Sequence, residues 1–143
     1  MLKLIARRCE AEREDERSDE RYRSEPARLI LHGVPGAGKT QTLLWLRQFF
    51  EEVCGWVHEQ QFVFLATQNT MAALIQGRTL HSYHKLTHKK TDGTVIAHTD
   101  PRMEQSSLWY QYRALRWMFI DEFSTVSLEM YTQIDDKTTQ HIR

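Results

Sequence analysis

The residues Gly33-Val34-Pro35-Gly36-Ala37-Gly38-Lys39-Thr40 carry the densest chemistry in the chain. Three glycines closing on a lysine and a hydroxyl residue match the loop in which backbone amides cradle phosphate. Glycine permits the sharp turns and the close approach of phosphate oxygens. Amides at the start of the following helix face the anion, and the helix dipole adds to their pull. The pattern predicts that Gly33 through Gln41 hold the phosphates of ATP. Lys39 would reach the β and γ phosphates, and the Thr40 hydroxyl would join a Mg2+ shell.

A second candidate set lies 82 residues after Lys39, where the apolar run Trp117-Met118-Phe119-Ile120 ends in Asp121-Glu122. An apolar strand with carboxylates at its end places them at the carboxyl edge of a sheet, where open α/β folds bind ligands. Asp121 would hold the magnesium ion, directly or through water. Glu122 would orient or deprotonate the attacking water. Lys39, Asp121 and Glu122 are therefore the expected catalytic residues, with Thr40 and Asp121 on the metal.

These residues need elements to position them. "RLILH", residues 28–32, reads as a short buried strand, and "KTQTLLWLRQFFEEV" as a helix with Leu43, Leu44, Leu46, Phe49, Phe50 and Val53 on a broad apolar face, ended by Gly55. "QFVFLAT" predicts a second buried strand. Asn69 or Thr70 would cap a short helix through "MAALI", and "TLHSYHKL" would begin another. Turn signals at Asp92-Gly93 and Asp100-Pro101 mark a polar stretch. Residues 107–114 suggest a helix, "RWMFIDE" a third strand, and "SLEMYTQID" a helix with Leu128, Tyr131 and Ile134 on one side. Strands alternating with helices predict an α/β layer with a mainly parallel sheet.

Composition narrows the partners. With 19 basic and 19 acidic residues the net charge is zero, which argues against broad electrostatic capture of nucleic acid but leaves room for a local basic patch. Two cysteines, Cys9 and Cys54, make neither a disulfide framework nor a zinc cluster, and reduced thiols inside a cell are expected. No apolar run approaches the roughly 18 residues of a membrane span. "MLKLIARRC" is followed at once by "EAEREDERSDE", too acidic for a mitochondrial presequence and too short in apolar residues for a secretory signal. The expected setting is intracellular, in a eukaryote the nucleus or the mitochondrion. His81, His84 and His88 have helical spacing, but without supporting cysteines or carboxylates they read as a solvated helix face rather than a metal site. For Trp109, Tyr110 and Tyr112, helix packing is expected over base stacking, and Trp117 belongs to the core.

One further stretch separates the possible ATPase classes. "LATQNTMAALIQGRTLHSYHKL" sets Thr67, Ala72, Ala73, Gly77 and Thr79-Leu80-His81-Ser82 in a row. It resembles the segment that follows the phosphate loop in Pif-type DNA helicases, the RecD-like branch of superfamily 1. Asp121-Glu122-Phe123-Ser124 resembles that family's Asp-Glu-x-Ser element, and the match covers about residues 28–134. The resemblance implies a RecA-like P-loop NTPase fold, ATP and Mg2+ as cofactors, and translocation along single-stranded or forked DNA. Thr67, Gly77, Thr79 and His81 would lie on the DNA-facing side and touch the backbone without reading sequence.

The chain departs from the family in several places. The adenine-contacting glutamine segment is not recognisable in the leader. Gln68 and Asn69 replace small residues, and Thr125 stands where a methionine often follows the serine. The Gly-Asp-x-x-Gln-Leu element and the second motor domain with its arginine finger are absent. The expected organisation is a charged leader over 1–26, helical or disordered, and an incomplete P-loop motor domain over 27–143. The chain alone would then not unwind DNA. The other reading is a stand-alone P-loop module for nucleotide-dependent binding; a small-molecule kinase is a weaker third, lacking an arginine-rich lid.

Overall fold

The computed structural model describes residues 1–17, 27–34, 36–86, 88–89, 95–96 and 101–142. The chain divides into two compact units, Met1–Lys39 and Thr40–Arg143.

In the first unit, α1 (Leu2–Arg17) begins inside "MLKLIARRC", earlier than the charge pattern alone suggests. Arg8 and Glu12, one turn apart, form an ion pair of 3.1 Å, and Ile5 and Cys9 are buried. Residues 28–32 correct the sequence reading. They form irregular coil, not a buried strand, with Ile30 88% exposed and Leu29 and Leu31 about half exposed. An apolar run becomes a strand only when a neighbour takes its N–H and C=O groups, and no described residue pairs with this one.

The second unit is built on a three-stranded parallel sheet. Its strands are β1 (Phe62–Ala66), β2 (Arg78–Thr79) and β5 (Trp117–Ile120), in the order β2-β1-β5. All five residues of central β1 are at most 1% exposed, which is why it reads as an unbroken apolar run rather than an alternating one. Alternation still sorts the two faces. Phe62 and Phe64 pair across the register with Trp117 and Phe119, and the Phe50 ring lies 4.9 to 6.3 Å from those of Phe62, Trp117 and Phe119. Val63 and Leu65 pair with Met118 and Ile120 and face Leu80, Tyr83, Leu86, Leu108, Tyr112 and Ile134.

Phe50 lies where α2 (Lys39–Gln48) loosens into a π-helical turn, Phe49–Val53, and Gly55 follows at φ 67°. The other face is covered by α4 (Leu80–His84), α5 (Pro101–Tyr112) and α6 (Leu128–Ile142). The short helix α3 (Asn69–Leu74) links β1 to β2, and Gln68, not Asn69 or Thr70, holds its cap position without a side-chain bond. Two two-residue strands, β3 (His88–Lys89) and β4 (Val95–Ile96), pair antiparallel; the expected turn at Asp92-Gly93 and Asp100 lie outside the described residues. On α6 only Ile134 of the expected apolar trio is buried. Leu128 is 81% exposed and Tyr131 about half, because α6 turns Met130 and Ile134, four residues apart, onto the core and leaves Leu128 on another side of the helix. Among the described residues no helix is long and apolar enough to cross a membrane.

Candidate functional site

The phosphate loop is shaped by its glycines. Gly36 and Gly38 hold φ near 80°, a conformation that L side chains rarely adopt, and α2 opens directly behind them at Lys39. Ala37 N–H closes the turn on the Val34 carbonyl at 3.1 Å. Lys39 Nζ folds back and donates to the carbonyls of Gly33 (2.9 Å) and Val34 (3.3 Å). An ammonium held over its own loop by neutral carbonyls can exchange them for phosphate oxygens, which bind it more strongly. Val34, Gly36, Ala37, Gly38 and Gln41 are exposed, while Gly33, Lys39 and Thr40 are half-buried; Pro35 lies outside the described residues.

In the second unit the other predicted residues gather at one edge. Thr67 follows β1, Thr79 ends β2 and Asp121 follows β5, so all three stand at the carboxyl ends of parallel strands. Asp121 is 8% exposed, and its N–H donates to the Leu65 carbonyl at 2.8 Å, extending the ladder one residue beyond β5. Its Oδ1 accepts the Glu122 N–H at 3.0 Å. Glu122 is exposed and adopts a left-handed conformation (φ 51°, ψ 44°), turning the chain sharply away from the strand. A non-glycine residue held there is strained, and such strain concentrates at functional sites. Hard oxygen donors, the Thr40 hydroxyl and the Asp121 carboxylate, fit Mg2+ chemistry.

Gly77 and Thr79 line an open groove of about 290 Å³ beside α3, together with Asn69, Arg78 and Ser82. A Cβ at Gly77 would lie 2.2 Å from the Phe64 carbonyl oxygen, so only glycine lets this segment lie against β1. Thr79 caps α4 by accepting the Ser82 N–H at 3.3 Å. Arg78 donates to Ser82 Oγ (2.7 Å) and pairs with Glu59 (3.2 Å). Thr67 and His81 do not line the groove; Thr67 instead meets Thr125, with their hydroxyl oxygens 2.7 Å apart. Arg78 lies between Gly77 and Thr79 in this groove, and the sequence pattern by itself does not mark it.

The histidine expectation needs correction. His84 is fully buried rather than on a solvated face; burial, then the nearby Lys137, lowers its pKa to about 4. Among the described residues no group of three histidines, cysteines or carboxylates could hold a metal, and the side chain of His88 lies outside them. The aromatic cluster divides. Tyr112 is core, whereas Trp109 and Tyr110 are exposed with the Arg113 guanidinium 5.5 and 5.3 Å from their ring centres. Trp117 is buried as expected.

A glycine-turned loop opening a helix, with a parallel sheet whose strand ends carry carboxylate and hydroxyl groups, defines a nucleotide-binding P-loop domain. The chain belongs to the AAA domain family, which matches residues 19–142. No curated protein and no solved structure matches it. Its fold class is that of a P-loop NTPase, with a RecA-like parallel sheet flanked by helices. Domains of this kind are ATPases that generally bind ATP with Mg2+.

Proposed function

We propose that this chain binds and hydrolyses Mg-ATP as part of a Pif-type, RecD-like DNA helicase, in answer to single-stranded DNA. The observation that carries the reading is the shared edge in the second unit. There Thr67, Thr79 and Asp121 end three parallel strands, and the Gly77–Thr79 groove opens beside them. The segments that resemble the helicase motifs are the ones this sheet brings to one side.

In this reading Lys39 neutralises the β and γ phosphates. Thr40 and Asp121 would hold Mg2+, and the bound ion would supply Lewis acidity toward the phosphoryl oxygens. Glu122, turned out of the strand end, orients the attacking water and takes its proton. Thr67, Gly77, Thr79 and His81 contact the sugar–phosphate backbone of the strand, and Arg78 supplies the groove with positive charge. Unwinding would require a second motor domain to close over the nucleotide.

The test is phosphate release with and without an unstructured oligonucleotide, for the wild type and for Lys39→Ala. Turnover raised several-fold by the oligonucleotide, and lost in the variant, is the expected result. ATP affinity unchanged by Lys39→Ala would sink the site assignment. Turnover indifferent to DNA would leave a nucleotide-dependent binding module instead.

A further inference from the structure

The carboxyl ends of β1 and β5 are joined by a chain of hydroxyls that neither strand pattern predicts. Thr125 Oγ1 donates to the Glu122 carbonyl at 2.8 Å and lies 2.7 Å from Thr67 Oγ1. A threonine hydroxyl carries one proton, so once Thr125 has given its own to Glu122, the proton between the two hydroxyls belongs to Thr67. The chain therefore runs from Thr67 to Thr125 to the backbone of Glu122.

That backbone is held from both sides. The Glu122 N–H donates to Asp121 Oδ1 at 3.0 Å, and its carbonyl accepts the Thr125 N–H (2.9 Å) as well as the Thr125 hydroxyl. Without such bonds the left-handed conformation of Glu122 would relax, because nothing intrinsic to a glutamate favours it. Moving the φ and ψ of this residue would move its carboxylate.

We propose that Thr125 is a positioning residue for Glu122, fixing the turn that aims its carboxylate, and that its bond to Thr67 couples that turn to the nucleic-acid side of the domain. This rests on the reading above of Glu122 as the base and Thr67 as a backbone contact. A strand phosphate arriving at Thr67 accepts a proton more strongly than a neutral hydroxyl does. Thr67 then turns its proton from Thr125 to the phosphate, and the environment of the Glu122 turn changes with it.

The experiment measures kcat and KM for ATP, with and without oligo-dT, in the full chain and in Thr125→Val, Thr125→Ser, Thr67→Val and the double valine variant. Circular dichroism confirms folding of each. Thr125→Val is expected to lower kcat about tenfold, with KM for ATP within about twofold, since a base displaced by a fraction of an ångström loses rate rather than affinity. Thr125→Ser, which keeps the hydroxyl, restores most of the rate. In the Thr125→Val background and at saturating oligo-dT, where a weaker backbone contact no longer limits occupancy, Thr67→Val causes no further loss of maximal DNA stimulation. Wild-type kcat in Thr125→Val, equal impairment by valine and serine, or additive losses in the double variant would each overturn the proposal. Absence of Lys39-dependent turnover in the wild type is a different result: it removes the ATPase reading, and this inference with it.

Discussion

His84 Nδ1 and Tyr112 Oη lie 2.5 Å apart in the core, joining α4 to α5 beneath the segment that carries Thr79 and His81. Burial, and then the neighbouring Tyr83, pushes the Tyr112 phenol up, so it stays protonated and donates. His84 Nδ1 is thus the acceptor, and the neutral ring carries its proton on Nε2, which has no partner among the described residues. The sequence spacing of His81, His84 and His88 shows none of this, because a buried histidine and a solvated one occupy the same helical positions.

This buried neutral ring makes stability depend on pH. The pKa of His84 is about 4 in the folded chain and about 6.5 when unfolded, so between these values the unfolded state binds more protons. The contribution is fully present above pH 6.5 and is lost as pH falls toward 4, by about 3 kcal/mol in all. Urea unfolding of the wild type and of His84→Gln across pH 4 to 8 checks it. The difference between the two should shrink steadily below pH 6.5, and a difference independent of pH would show that His84 does not titrate as described.

Gly77 and Gly55 predict opposite kinds of cost. A methyl at Gly77 meets the Phe64 backbone, which cannot move without breaking β1, so Gly77→Ala should cost about 3 kcal/mol or more. An added Cβ at Gly55 meets no described residue within 4 Å beyond its chain neighbours, and only the φ of 67° opposes a side chain, so Gly55→Ala should cost about 1 kcal/mol. Denaturant midpoints for the two variants separate steric conflict from backbone strain.

The aromatic cluster supplies a third test. Tyr112→Ala empties a core position and should destabilise by about 3–5 kcal/mol, whereas Trp109→Ala and Tyr110→Ala should stay within about 0.5 kcal/mol. Thermal unfolding of the three variants decides it, and a large loss at Trp109 would place that ring in the core.

For the proposed chemistry, Glu122→Gln should leave Mg-ATP binding within about twofold while lowering turnover at least about hundredfold, as loss of a general base does. Asp121→Asn should raise the Mg2+ needed for half-maximal turnover about tenfold. Calorimetric titration beside phosphate release distinguishes them. Equal loss of binding in both variants would mean that the carboxylates hold the fold rather than divide the chemistry.

Much of the site is legible in the sequence because short-range spacing encodes it. A loop that must turn through left-handed conformations needs glycines in order, as Gly36 and Gly38 show. A strand buried on both faces needs an unbroken apolar run, as Phe62–Ala66 shows. The same logic fails at residues 28–32, where Leu29-Ile30-Leu31 are apolar but pair with no described residue, because a strand is a property of two segments and composition describes one. It fails again on α6, where the core takes Met130 and Ile134, four residues apart, and not the wider-spaced Leu128.

By itself, then, the sequence determined the phosphate loop, the alternation of strands and helices, and the carboxylates that end β5, since each depends on residues close together in the chain. Only the tertiary structure decided that His84 is buried against Tyr112, that Gly77 is pressed on the Phe64 carbonyl, and that Thr67 meets Thr125 across 58 positions. Those contacts arise where separate strand ends and helices converge, and the packing that brings them together is encoded in no single segment.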